Sequence, residues 1–204
     1  MKIRTTLIAV IALVIFTLSA CDKDEKAKKN SFKYNNKEAE IGTVIGIAYG
    51  QTEVNGVYWI AMEYLEKSFT VFYENGYPDS LAGKGDVLLL TFLSNKEAEI
   101  TPGEYTVKPS NDASKAFTID GDEETGLIIG FDITNENDPP YVEISGGKVT
   151  VAKNGDEYEF TFNLSTNVNS TVTGYYKGKP VIFVDKKKKS LMAQNWFPGK
   201  AIRN

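Results

Sequence analysis

From Tyr158 to Leu164 the chain alternates without a break. Tyr158, Phe160, Phe162 and Leu164 are apolar, and Glu159, Thr161 and Asn163 between them are polar. A period of two buries one face of an extended segment and wets the other, which is the pattern of an antiparallel strand and not of a helix. The same period runs through the body from Phe32 to Asp185. Val57 to Leu65, Val87 to Leu93 and Leu127 to Ile133 are apolar on both faces and read as central strands beneath a second layer. Their Thr, Val, Ile and aromatic content favours strand over helix.

The breaks between these runs carry turn chemistry. Asn35-Asn36, Asn55-Gly56, Asn75-Gly76, Gly146-Gly147 and Asn154-Gly155 each separate strand-like runs, and Asn-Gly supplies the positive φ of a two-residue hairpin turn. Pro102-Gly103 and Pro139-Pro140 mark further corners. About ten or eleven short strands are expected. They would form one all-β domain over 32–185, an antiparallel sandwich or open barrel.

Composition excludes several chemistries. The 204 residues include one cysteine and no histidine. Zinc sites of His or paired Cys, intrachain disulfides, Ser-His-Asp and Cys-His nucleophiles, and histidine acid/base steps are therefore ruled out.

That one cysteine stands in a telling place. Lys2 and Arg4 precede ten apolar residues, Leu7 to Phe16, too short to span a bilayer at about 20 residues but right for the core of a secretory signal. The run ends in Leu18-Ser19-Ala20-Cys21, which resembles the bacterial lipobox. The resemblance implies cleavage of 1–20 and a lipid anchor on Cys21. An ordinary signal peptide with an incidental cysteine is the competing reading. Cleavage removes Lys2 and Arg4 and leaves 21 basic against 27 acidic residues, a net charge of −6. Two or more acyl chains, at about 0.8 kcal/mol per buried methylene, hold a protein on a membrane that it does not cross.

Residues 21–31 read as a charged, lipid-anchored tether. Its Asp22-Lys23-Asp24-Glu25 resembles the surface-export signal of Bacteroidota lipoproteins. That implies an outer-membrane protein facing the cell exterior, with a periplasm-facing orientation as the alternative. The body is similar to small all-β lipoproteins of that phylum. The likeness lies in Asn30-Ser-Phe-Lys-Tyr-Asn-Asn-Lys with Ile41, in Thr101-Pro-Gly-Glu-Tyr105 and Ser145-Gly-Gly-Lys-Val149, and in Tyr158 to Phe162 and Gly174 to Gly178. These are hairpin and turn motifs, so they imply a β fold and no activity. The tail 186–204 differs, with four lysines (Lys186 to Lys189) followed by an apolar stretch holding Trp196 and Phe197. The lysines read as a solvated break, and the two aromatics are expected to dock on the domain.

Carboxylates are the one acid/base chemistry left. Glu63, in an apolar strand beside Tyr64, and Glu143, between Val142 and Ile144, are the candidates for a small glycosidase. Such an enzyme needs its two carboxyls about 5 Å or about 6.5–9.5 Å apart. Asp120, Asp122 and Glu124 resemble the start of a calcium loop, but Thr125 replaces the required glycine and Phe131 the closing glutamate. That segment and the oxygen-rich Asp132 to Asp138 read as solvated loops, so no metal or cofactor is expected. Eleven tyrosines, eleven phenylalanines and two tryptophans mostly alternate as β-core residues should, and the competing reading is stacking on a ligand, with Tyr73, Tyr77 and Tyr141 beside turns that could carry them to the surface. Asp79-Ser80-Leu81, in a Pro/Gly loop, resembles the Bacteroidota O-glycosylation acceptor, which assigns the glycan to Ser80. Asn169-Ser170-Thr171 fits the N-glycosylation pattern, idle in a bacterium. Nucleic acid is disfavoured, because the mature chain is acidic and Arg203 is its one arginine. The expected role is non-catalytic binding of a glycan, small ligand or envelope partner, or structural. A carboxylate glycosidase and a surface assembly subunit using β-strand augmentation are the alternatives.

Overall fold

The computed structural model describes residues 28–109, 115–121, 125–135 and 139–184, and every one of them is in a strand, turn or loop. The chain first lays down β1 (Ser31–Tyr34), β2 (Lys37–Gln51), β3 (Tyr58–Glu66), β4 (Thr70–Glu74), β5 (Tyr77–Ala82) and β6 (Lys84–Ser94). There follow β7 (Gly103–Lys108), β8 (Thr118–Asp120), β9 (Gly126–Asp132), β10 (Tyr141–Asn154), β11 (Glu157–Thr166), β12 (Thr171–Gly178) and β13 (Val181–Val184). The strands outnumber the ten or eleven expected because three of them, β1, β8 and β13, span only three or four residues.

Of the two architectures expected, this is the barrel, and its ring closes. Nine strands run β1-β12-β11-β10-β7-β8-β6-β3-β2, and the β1–β2 hairpin joins the ends. Strand β9 bridges β10 and β6 alongside the β7–β8 pair. Pairing is antiparallel except between β7 and β8 and between β13 and β2. Closure leaves the ring without free edges, the surest protection against sheet-to-sheet aggregation.

The alternation in β11 does what its period requires. Tyr158, Phe160, Phe162 and Leu164 enter the lumen, joined by Met62 and Tyr64 from β3, Leu88, Leu90 and Phe92 from β6, and Tyr105 from β7. The rings meet edge to face, Tyr64 with Phe162 at 4.9 Å and Phe92 with Tyr105 at 5.0 Å between centroids. Such pairs add about 0.5–1.5 kcal/mol each beyond the area they bury.

The runs apolar on both faces are β3, β6 and β9, and a second layer covers them. Ile45, Leu65, Val87, Ile128 and Phe131 point outward and pack with Phe69 and Leu81 at the β4–β5 hairpin. That hairpin forms its own two-stranded sheet and shares no ladder with the barrel.

Most turn expectations hold in detail. Asn35 and Asn36 both take positive φ in the β1–β2 turn, as do Asn75 and Gly76 in the β4–β5 turn. The β10–β11 turn sits one residue later than Asn154-Gly155 suggests, on Gly155-Asp156. Gly146-Gly147 does not separate two strands. It is a bulge inside β10, with the register shifting between Ile144 and Gly146. Gly147 has φ 99°, and a side chain there would strike the Asn163 carbonyl across the ladder.

The signal segment 1–20, Cys21, Asp22 to Glu25, and the tail with Lys186 to Lys189, Trp196 and Phe197 lie outside the described residues. The last residues assigned to the tether belong to the domain. Ser31 opens β1, and the Asn30 side chain is bound to the backbone of Lys177, donating to its carbonyl at 2.9 Å and accepting its N–H at 2.8 Å.

Candidate functional site

The β4–β5 hairpin carries three of the five exposed aromatic side chains among the described residues. Val71 and Leu81, paired across the hairpin, face the barrel. Phe72 and Ser80, also paired, face away. Phe72, Tyr73 and Tyr77 are 51%, 49% and 58% exposed. The tip folds onto the last strand, with Tyr77 and Phe183 at 5.4 Å between centroids. Tyr73 and Tyr77 thus reach the surface as the turn signal at Asn75-Gly76 suggests. Tyr141 does not. It opens β10 half-buried, its ring lying against Gly126 where no side chain would fit.

Ser80 is exposed as an acceptor must be, but it sits in strand β5 and not in a loop. Exposed Glu74 and Asp79 flank the aromatics, and the hairpin carries no lysine or arginine. Flat rings with carboxylates beside them present apolar faces and hydrogen-bond acceptors together, the pairing that a sugar ring calls for.

Beneath the hairpin lies Glu63. Strand register pairs it with Ile45 of β2 and Leu89 of β6, both outward, so its carboxyl faces the second layer and not the lumen. It is 5% exposed, and its Oε2 has no hydrogen-bond partner. Burial alone pushes its pKa up to about 7. Glu143 does not join it. The register runs Glu63 to Leu89, Leu89 to Gly126, and Gly126 to Glu143, three strand spacings in all. At about 4.8 Å each these hold the two backbones about 14 Å apart. Glu143 instead accepts from the Asn167 side chain at 3.3 Å.

The interior offers no comparable site. Tyr64, buried in the lumen, has a hydroxyl without a partner, and burial raises its pKa well above the ordinary range. Tyr105 closes one end by donating to the Thr101 carbonyl at 2.9 Å. Buried Asp86 is held by Lys37 at 2.7 Å and by the Gly130 N–H at 2.8 Å. A groove of about 630 Å³ opens outside the barrel between Lys28, Glu40, Glu157, Tyr175 and Lys177. Its charges are already paired, Lys29 with Glu40 at 2.9 Å and Lys177 with Glu157 at 3.4 Å, and Lys28 lies over the Tyr175 ring.

No group of three acidic, Cys or His side chains able to hold a metal occurs among the described residues. Asp122, Glu124 and Asp138 lie outside them. Asp132 is engaged by the Thr134 N–H at 3.0 Å and the Thr134 hydroxyl at 2.7 Å, the local turn that a solvated loop makes. Asn169 takes φ 57° in the tight turn between β11 and β12.

No family model, curated protein or solved structure matches the chain. The sequence signal for the hairpin surface was Tyr73 and Tyr77 beside Asn75-Gly76. Phe72 was missed because an apolar residue inside a strand reads as core, and it lies outside only because the hairpin has a single covered face, held by Val71 and Leu81.

Proposed function

We propose that this chain is a lipid-anchored protein of the bacterial outer membrane, facing the cell exterior, that binds a glycan through the aromatic face of its β4–β5 hairpin. One observation carries the reading. The barrel lumen is packed with interlocked aromatic side chains, while Phe72, Tyr73 and Tyr77 stand about half exposed on a hairpin packed against the outer wall. A filled barrel favours a surface site over an enclosed small-molecule site. The separation of Glu63 from Glu143 favours binding over a carboxylate glycosidase. Strand β13 has a ladder partner on one side only among the described residues, but its four residues make a short template for β-augmentation. Ser80, opposite Phe72, suits the O-glycosylation that its acceptor motif implies.

Two experiments test this. A panel of glycans is titrated against the full chain and a variant carrying Phe72→Ser, Tyr73→Ser and Tyr77→Ser. Glycan binding lost in the folded variant supports the reading. Binding to vesicles or to an envelope protein, with no glycan bound, sinks it. Membrane fractionation of Cys21→Ser tests the anchor, and unchanged membrane association overturns it.

A further inference from the structure

The hairpin that carries the exposed aromatics is held to the barrel by side-chain packing alone. Its strands pair with each other, and only the short segments 67–69 and 83 join it to β3 and β6. At its base Val71, Leu81 and Phe69 pack in one layer with Leu65 and Val87. At its tip Tyr77 meets Phe183, which is in register with Ile47 and, through it, Ala61. On the outward face of β3, Glu63 lies between Ala61 and Leu65. The hairpin's base and tip contacts thus lie to either side of Glu63 on the outer wall, and the carboxyl is buried in that layer with Oε2 unpartnered.

We propose that the β4–β5 hairpin is a hinged flap, seated on the barrel wall while Glu63 is protonated and released as that carboxyl ionises. The inference rests on the reading of the hairpin as the binding surface and adds its regulation. The elements around Glu63 offer no counter-charge. Facing it are Ile45 and Ile47 from β2, Leu89 and Thr91 from β6, Val181 and Phe183 from β13, and Val71, Leu81 and Tyr77 from the hairpin. Tyr77 and, from β10 on the far side of Leu89, Tyr141 over Gly126 are the titratable groups of this layer. The charged residues of the same elements are engaged or exposed elsewhere. Lys37 pairs with Asp86, Glu38 with Lys33, Glu40 with Lys67, and Lys84 with Asp132. Glu66 accepts the Asp86 N–H, and Glu74 and Asp79 are exposed on the hairpin.

The direction follows from linkage. Closed, Glu63 titrates near about 7; lifted into water it returns toward 4.5. The flap is tightest below pH 4.5. Its opening constant rises about tenfold per pH unit from there to about 7 and levels off above. A two-stranded hairpin alone is marginal in water, so a lifted flap loses amide protection.

Hydrogen exchange of the full chain between pH 5 and 8, with rates divided by those of unstructured peptide at each pH, reads this without any ligand. Expected is a roughly fortyfold fall in protection of 70–82 from pH 5 to 7, with values below those of β11 throughout. Glu63→Gln should abolish that fall, and Glu63→Leu serves if the glutamine variant folds poorly. Hairpin protection equal to that of β11 at every pH means the hairpin opens only with the whole barrel, and overturns the proposal. So does an unchanged pH dependence in the folded variants. Failure of glycan binding leaves these outcomes unaffected, and the two readings fail separately.

Discussion

Gly46 of β2 and Ile182 of β13 meet where β13 closes against the barrel. A side-chain carbon on Gly46 would lie 2.8 Å from Ile182 Cγ1 and 2.8 Å from Met62 Sδ. The missing side chain lets a parallel strand from the far end of the sequence seat Ile182 against the core. Gly46→Val should therefore overpack this point at about 1–3 kcal/mol. For a chain of this size that lowers the melting temperature by roughly 2–4 °C per kcal/mol. Hydrogen exchange should show 181–184 losing protection first. A melting temperature unchanged from the parent would mean that the contact carries no weight.

Tyr64 offers a cleaner separation of ring from hydroxyl. Its ring touches Phe160, Phe162 and Tyr176, while its hydroxyl is buried without a partner. Tyr64→Phe removes the unpaired group and keeps the packing, so stability should stay level or rise by about 1 kcal/mol. Tyr64→Ala should cost about 3–5 kcal/mol through the cavity it leaves. Denaturant unfolding of both variants checks the pair, and a large loss in the phenylalanine variant would reveal a partner for the hydroxyl.

The pH dependence of stability has two opposed limbs. Glu63 is raised by burial, so its contribution is complete below 4.5 and lost as pH climbs to about 7. The 2.5-unit difference between those values corresponds to about 3 kcal/mol. Glu38, held by Ser31, Glu40, held by Lys67 and Lys29, and Glu99, held by Lys96 and Lys153, are shifted downward. Their contributions are present above the usual carboxylate range and vanish as pH falls through it. Thermal unfolding from pH 3 to 8 should give greatest stability near pH 4.5, with a decline from there to about 7. In Glu63→Leu the decline toward pH 7 should disappear, and its persistence would assign that limb to another group.

These features differ in how far the sequence announces them. The lumen was legible because β11 alternates strictly, and the covered wall because β3, β6 and β9 are apolar on both faces. Glu63 stood out as an acid in an apolar strand, yet its direction was not readable. One residue of register decides between lumen and outer wall, and the bulges near Gly42 and Gly50 in β2 set that register. The packing of the hairpin on the wall was hidden for a related reason, since of residues 70–82 only Leu81 is buried, with Val71, Pro78 and Ala82 half-buried, and the rest read as surface. Ring closure was hidden too. It depends on pairing β1 with β12, Ser31 opposite Tyr175, across most of the chain length. Local pattern carries no signal for that contact.

Asn30 fixes where the proposed anchor leaves the domain. Its amide makes both hydrogen bonds that a strand neighbour would make to Lys177, extending the edge of β12 beyond the end of β1. Nine peptide steps join Cys21 to Asn30, a reach of about 30 Å at most. Asn30→Ala removes both bonds. Both are exposed and water replaces them, so the loss is about 1 kcal/mol, roughly a fivefold shift in local opening. Lys28 and Lys29 lie just outside the clip and are natural trypsin sites. Brief trypsin treatment followed by mass spectrometry should show cleavage at these lysines rising about fivefold in Asn30→Ala, with the barrel still intact. Equal cleavage in parent and variant would mean that the amide does not hold this segment, and that the chain is free to leave the barrel nearer to Ser31.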